Sequence, residues 1–323
     1  MRALHFHQNL SLVSNFPEPE PSPGSVRIQV TAAAICNTDL EITRGYIPDF
    51  NGIPGHEFFG QVDAVADTAH RELIGKRVTA EINCGCGVCA WCREGLERHC
   101  PDRTVIGINN RNGAFSQYCT VPAANIVAIP PAISDDNALF IEPLAAAFEI
   151  QDQISISRDS KVLLLGDGKL AHCIAWSLLP TECRLRIGGK HAWKTALLQK
   201  CGFDATIDHS LFSDNEFDIV IEASGSPGAF NEAIAMVRPR GTIVLKSTYS
   251  KGFEFNPAAV VVNEISLIGS RCGQFSSSIA FLEKHSPDLS YLISKRFPLS
   301  EGICAFAAAR QPDIMKVVLD CQK

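Results

Sequence analysis

The chain has 323 residues, long for one domain and sufficient for two, each able to bury its own core. Its 29 Lys and Arg are outnumbered by 35 Asp and Glu, giving a net charge of −6 with no long basic run, so nothing in it marks a nucleic-acid binder. No apolar stretch is long enough to span a bilayer, and the opening Met1-Arg2-Ala3-Leu4-His5-Phe6-His7 is too polar for a signal peptide, which predicts a cytoplasmic protein with no membrane partner.

Along the chain, Pro17, Pro19, Pro21 and Pro23 hold the early segment extended. Residues 25–30, Ser-Val-Arg-Ile-Gln-Val, then alternate polar and apolar as a half-buried strand does. Short strands are predicted near 60–65, 77–82 and 115–121, separated by Gly, Pro and Asn, so the first 145 or so residues read as a β-rich, barrel-like domain. After about residue 150 the pattern changes. Lys161-Val162-Leu163-Leu164-Leu165 is a continuous apolar run, the mark of a strand buried on both faces. Further buried strands are predicted at 184–187, 205–207, 218–223, 241–246 and 266–269, with helices over 173–179, 193–201 and 228–237. Strand and helix alternating in this way predict an α/β fold with a doubly wound parallel sheet.

Cys86, Cys89, Cys92 and Cys100 stand at the spacing C-x2-C-x2-C-x7-C in a loop containing Gly85, Gly87 and Gly95. Thiols so close in sequence can wrap one tetrahedral ion, and thiolate softness favours zinc or an iron–sulfur cluster over magnesium or calcium. The reading is a structural zinc lobe, with Cys84 a fifth thiol beside it. The other cysteines are scattered, as expected of a chain from a reducing compartment.

These four cysteines, with Cys36-Asn37-Thr38-Asp39, Gly55-His56-Glu57 and Glu142-Pro143-Leu144-Ala145, make the chain resemble the zinc-dependent alcohol dehydrogenases of the medium-chain dehydrogenase/reductase superfamily, in the style of sorbitol and threonine dehydrogenases. The match runs from Met1 to Leu319. The resemblance implies a GroES-like β-rich catalytic domain over residues 1–147 and 273–323, and a Rossmann dinucleotide-binding domain over 148–272. It also implies one catalytic and one structural zinc, NAD or NADP, an alcohol or polyol substrate (or its carbonyl), and a homodimer or homotetramer. Cys36 and His56 fall at the family's catalytic zinc ligands, with Glu57 or Glu142 as the carboxylate. Thr38 matches the hydroxyl that bonds the substrate oxygen, and Asp39 the carboxylate that orients the ligand imidazole. Many relatives carry a relay histidine where this chain has Glu41, which can carry the proton in its place. The alternatives to this function are a zinc-independent carbonyl or quinone reductase of the same superfamily and a non-catalytic NADP(H)-binding protein.

In Gly166-Asp167-Gly168-Lys169-Leu170-Ala171 the dinucleotide fingerprint follows a buried strand and opens a helix, the context that gives it meaning. At the end of the second strand, where an acid holds the ribose of NAD, the chain reads Ile187-Gly188-Gly189-Lys190. With no carboxylate there and with Arg186, Lys190, His191 and Lys194 near, the sequence favours NADP over NAD. Ser224, Ser247, Thr248 and Arg271 stand at later strand ends where they can reach the cofactor. Tyr46, Phe50, Ile108, Asn110 and Phe115 are candidate pocket residues, and the polar run 109–112 hints at a polar substrate.

Overall fold

In a computed structural model, which describes residues 1–248 and 254–323, the chain divides into two compact units, Met1–Glu142 with Phe275–Lys323, and Pro143–Gln274. The first junction falls inside the helix Ile141–Gln153, where the apolar pattern runs on without a break.

The first unit is organised by the strand Ser25–Ala34, longer than its alternating segment because Thr31-Ala32-Ala33-Ala34 continues it, with Thr31 exposed and the three alanines buried. It pairs antiparallel with Glu57–Val65 along one edge and with Tyr118–Pro122 and Lys316–Asp320 elsewhere. The sheet extends through Arg77–Ala80 to Ile126–Ala128 on one side and through Lys316–Asp320 to Ile293–Pro298 on the other. Phe115, expected within a strand, precedes it: its ring is fully buried edge-on to Phe306, 5.6 Å between centroids. Burial of a ring this size stabilises by about 1.5–3 kcal/mol.

In the second unit six parallel strands lie in the order Ala205–Thr206, Arg184–Gly188, Lys161–Leu165, Phe217–Glu222, Val237–Leu245, Ser266–Gly269. Numbered in chain order this is 3-2-1-4-5-6, the doubly wound arrangement whose order reverses beside the first strand. Helices Lys169–Leu178, Ala192–Lys200 and Pro227–Met236 connect strands, and Leu163, Leu165, Phe217, Val220, Phe230, Ala233 and Ile243 share one apolar core. The fold class is therefore α/β, a β-rich unit with a parallel-sheet unit, as the sequence predicts. Among the described residues no helix is long and apolar enough to cross a membrane.

Candidate active site

Sheet register brings the first unit's reactive residues together. Ala34, at the end of the central strand, pairs with Glu57 on one side and Val318 on the other, so Cys36 emerges between the strand starting at Glu57 and the strand starting at Lys316. Cys36 then caps the short helix Asn37–Ile42. Asp39, at that helix's third position, is fully buried and ties the corner together. Its Oδ2 accepts the backbone N–H of Cys36 at 2.8 Å, its Oδ1 accepts that of Gly55 at 3.2 Å, and Oδ1 lies 3.3 Å from Nδ1 of His56. The last contact is an ionic approach, since Nδ1 forms no well-aligned hydrogen bond. Gly55 is required here: its φ is +103°, and a Cβ would come within 2.7 Å of the Phe115 ring.

Cys36, His56 and Glu57 offer ligand atoms that all lie within 4.8 Å of one another, with His56 and Glu57 buried. Burial alone would lower the His56 pKa, but facing Asp39 and Cys36 it is raised well above the ordinary imidazole value. Acidic groups gathered around one imidazole make a corner that favours a cation. Glu142, half-buried in the first turn of the helix Ile141–Gln153, is not in this group of three. Thr38 Oγ1 is 3.9 Å from Cys36 Sγ, and Glu41, one turn further along the helix, has Oε1 2.7 Å from Nη1 of Arg44.

Lys316 is a residue of this corner that the motifs do not point to. Its side chain is buried, its Nζ pairs with Oε2 of Glu57, and it sits 5.5 Å above the Phe140 ring centroid. A lone lysine inside the apolar run Ile314-Met315-Lys316-Val317-Val318-Leu319 was the available signal.

Cys86, Cys89, Cys92 and Cys100 form a second group whose sulfurs lie within 4.8 Å of one another. Backbone N–H groups of Val88 and Cys89, with the Cys100 thiol, lower the Cys86 pKa to about 7, whereas desolvation pushes Cys92 up to about 12. Cys84 lies outside the group, buried, with Sγ 3.9 Å from the Ile82 carbonyl.

In the second unit Gly166 has φ +136°, and a Cβ there would come within 2.7 Å of the Ala223 carbonyl. Gly168 caps the helix Lys169–Leu178 without a side-chain partner, and a Cβ on it would meet no protein atom within 4 Å. That open space in front of the helix's first amides, including those of Lys169 and Leu170, suits a pyrophosphate. Gly188 is buried and Lys190 exposed at the end of the second strand. Arg186 lies against Phe212, donates to the Leu211 carbonyl at 3.1 Å and pairs with Asp204 and Glu216 at 3.4 and 3.9 Å. Ser224 donates to Glu222 at 2.6 Å, and Ser247 accepts from the Gly225 amide at 2.8 Å. The exposed Arg271 offers its carbonyl to Lys246 Nζ at 2.8 Å. Among the pocket candidates, Tyr46 is exposed and Phe50 lies against Phe6. The Asn109 side-chain amide donates to Arg103 O at 3.3 Å and the Asn112 Oδ1 accepts from Ile53 N at 3.0 Å, so both side chains are tied to backbone elsewhere in the unit.

A parallel dinucleotide sheet and a β-rich unit bearing a Cys-His-Glu corner and a four-cysteine lobe define a two-domain, metal-dependent nicotinamide dehydrogenase. The alcohol dehydrogenase GroES-like domain matches residues 22–131 and the zinc-binding dehydrogenase domain residues 189–284. The starvation-sensing protein RspB of Escherichia coli K12 is 29% identical over 280 residues, covering 82% of each chain. L-threonine 3-dehydrogenase of Rhizobium etli is 28% identical over 330 residues, covering 95% of this chain and 94% of its own. Among solved structures, the alcohol dehydrogenase RspB of E. coli CFT073 with NADH superposes at a TM-score of 0.90 with 27% identity, covering 99% of both chains. A zinc-binding dehydrogenase of Sinorhizobium meliloti bound to NADP gives 0.89 with 26% identity, covering 99% of this chain and 98% of that one. The chain belongs to the zinc-dependent alcohol dehydrogenase family of the medium-chain dehydrogenase/reductase superfamily, whose members are NAD(P)-dependent oxidoreductases.

Proposed function

We propose that this chain transfers hydride between an alcohol or polyol, or the corresponding ketone or aldehyde, and NAD(P), using zinc held by Cys36, His56 and a carboxylate. The observation that carries this is the corner itself: a thiol, an imidazole and a carboxylate gathered within 4.8 Å, with Asp39 bonded to the backbone of one donor and facing the ring of another. This donor set fits zinc with a coordination position left for substrate. Glu57 is the nearer candidate for the carboxylate, and Glu142 is the alternative. The four-cysteine lobe is read as the structural site.

Zinc held there would act as a Lewis acid towards an alcohol or carbonyl oxygen, and a bound nicotinamide would supply the redox chemistry. The chain's own part is placement and proton movement. Asp39 holds Cys36 and His56 in position. Thr38 Oγ1 takes the hydrogen bond from the substrate hydroxyl and passes its proton outward. Glu41, anchored by Arg44, receives it at the protein surface. The test is turnover of a panel of alcohols with NAD and NADP. Thr38→Ala is expected to lower kcat about 10²-fold. Glu41→Gln should cost less than about tenfold, because water can still remove the proton. A Thr38→Ala enzyme as fast as wild type would end the relay reading, and a protein that binds dinucleotide but turns over no alcohol or carbonyl would end the enzymatic one.

A cytoplasmic homo-oligomer is the expected form. The strand Ser266–Gly269 ends its sheet, and Leu267, with Val261 and Val262 on the preceding helix, is exposed, which suits pairing with a second copy. Sedimentation as a monomer at micromolar concentration would count against it.

A further inference from the structure

The glycine-rich turn carries an acid that its fingerprint does not require. Asp167, between Gly166 and Gly168, is buried, and its carboxylate reaches across to the end of the neighbouring strand. Oδ2 accepts the backbone N–H of Lys190 at 2.7 Å and of His191 at 2.6 Å, and both carboxylate oxygens lie 3.1 Å from Nδ1 of His191. At this strand end the chain has Gly189. A Cβ on Gly189 would lie 2.4 Å from Thr195 Oγ1, 3.1 Å from Asp167 Cβ and 3.2 Å from Asp167 Oδ2. A side chain at 189 would have to displace the Thr195 hydroxyl, and the carboxylate from the turn borders the space where an acid there would begin.

Burial opposes charge on Asp167, but the hydrogen bonds from His191 and Lys190 outweigh it and hold the pKa below the usual aspartate value. Oδ2 accepts two amides and Oδ1 shares the His191 ring with it, and a carboxylate oxygen with one such partner has a second lone pair to offer. Two of the basic residues that favoured a 2′-phosphate are committed elsewhere: Arg186 to Asp204, Glu216 and the Leu211 carbonyl, and His191 to Asp167 itself. An anion at the end of the second strand accepts a ribose hydroxyl and repels a 2′-phosphate.

We propose that Asp167 supplies from the glycine-rich turn the anion that Gly189 cannot carry, and that it makes the chain select NAD(H) over NADP(H). This rests on the dinucleotide-dependent reading above and departs from the preference for NADP that the sequence suggests.

The test is binding without substrate: calorimetric titration of wild type and Asp167→Asn with NADH and with NADPH. Wild type is expected to bind NADH at least about tenfold more tightly than NADPH. Asp167→Asn keeps an acceptor for the backbone amides but removes the charge, and should bring the ratio towards one. Should that variant not fold, Asp167→Ser takes its place, and competition of 5′-AMP against 2′-AMP on wild type reads the same preference. Equal affinities in wild type, tighter NADPH, or an unchanged ratio in a folded variant would overturn the assignment and leave the dinucleotide reading standing. Failure of both dinucleotides to bind would overturn both.

Discussion

Cys36→Ser is expected to remove one of two zinc ions per chain and to lower kcat by about 10³-fold, the scale of several kcal/mol of transition-state charge stabilisation. Serine is close to cysteine in size but is a poor zinc ligand at neutral pH, since its hydroxyl stays protonated. The fold should survive. The Asp39 carboxylate bonds the backbone N–H at position 36, a serine hydroxyl can accept the Asp39 backbone N–H as the sulfur does, and the apolar strand Ser25–Ala34 ends before it. The four-cysteine lobe draws its donors from residues 86–100, so it should keep its own ion. Elemental analysis of wild type and variant, with circular dichroism to check the fold, reads both numbers. Two zincs falling to one would separate the two sites. One zinc in both proteins would mean that the Cys36 corner holds no ion, and the zinc-independent reductase reading would move ahead.

The two units differed in how plainly the sequence announced them. The strand Lys161–Leu165 was legible because burial on both faces leaves an unbroken apolar run, and the glycine fingerprint directly after it fixed the turn. The strand Val237–Leu245 was expected only from residue 241, because Arg238, Pro239 and Arg240 read as a break; they bulge out of the ladder with their side chains exposed, Arg240 at φ +60°. Cysteine spacing singled out Cys86, Cys89, Cys92 and Cys100, and these sulfurs do converge. Spacing works there because a single loop contains all four. It fails for Lys316 and Glu57, which are 259 residues apart and meet only because the strands beginning at each flank the same central strand. Asp167 was hidden for a different reason. Inside a fingerprint defined by glycines, the residue between them is treated as a spacer, and only the fold shows where its carboxylate goes.

Lys316→Met should destabilise the zinc-free protein by about 3–5 kcal/mol, because a buried carboxylate loses the ammonium that neutralises it. Methionine fills much of the same volume and suits the apolar strand, so the loss reports charge more than packing. With zinc bound, the dication offers Glu57 a second counter-charge, and the loss should shrink by about half or more. Thermal melts of wild type and variant, each with chelator and with saturating zinc, give the four stabilities needed. Lys316→Arg keeps the charge and controls for side-chain shape. Equal losses with and without zinc would mean that Glu57 does not sense the ion at all, leaving Lys316 a structural partner and shifting the third ligand to Glu142. A loss confined to the zinc-free protein would mean that Lys316 and the metal share one carboxylate, with the lysine steadying the acidic corner until the ion arrives.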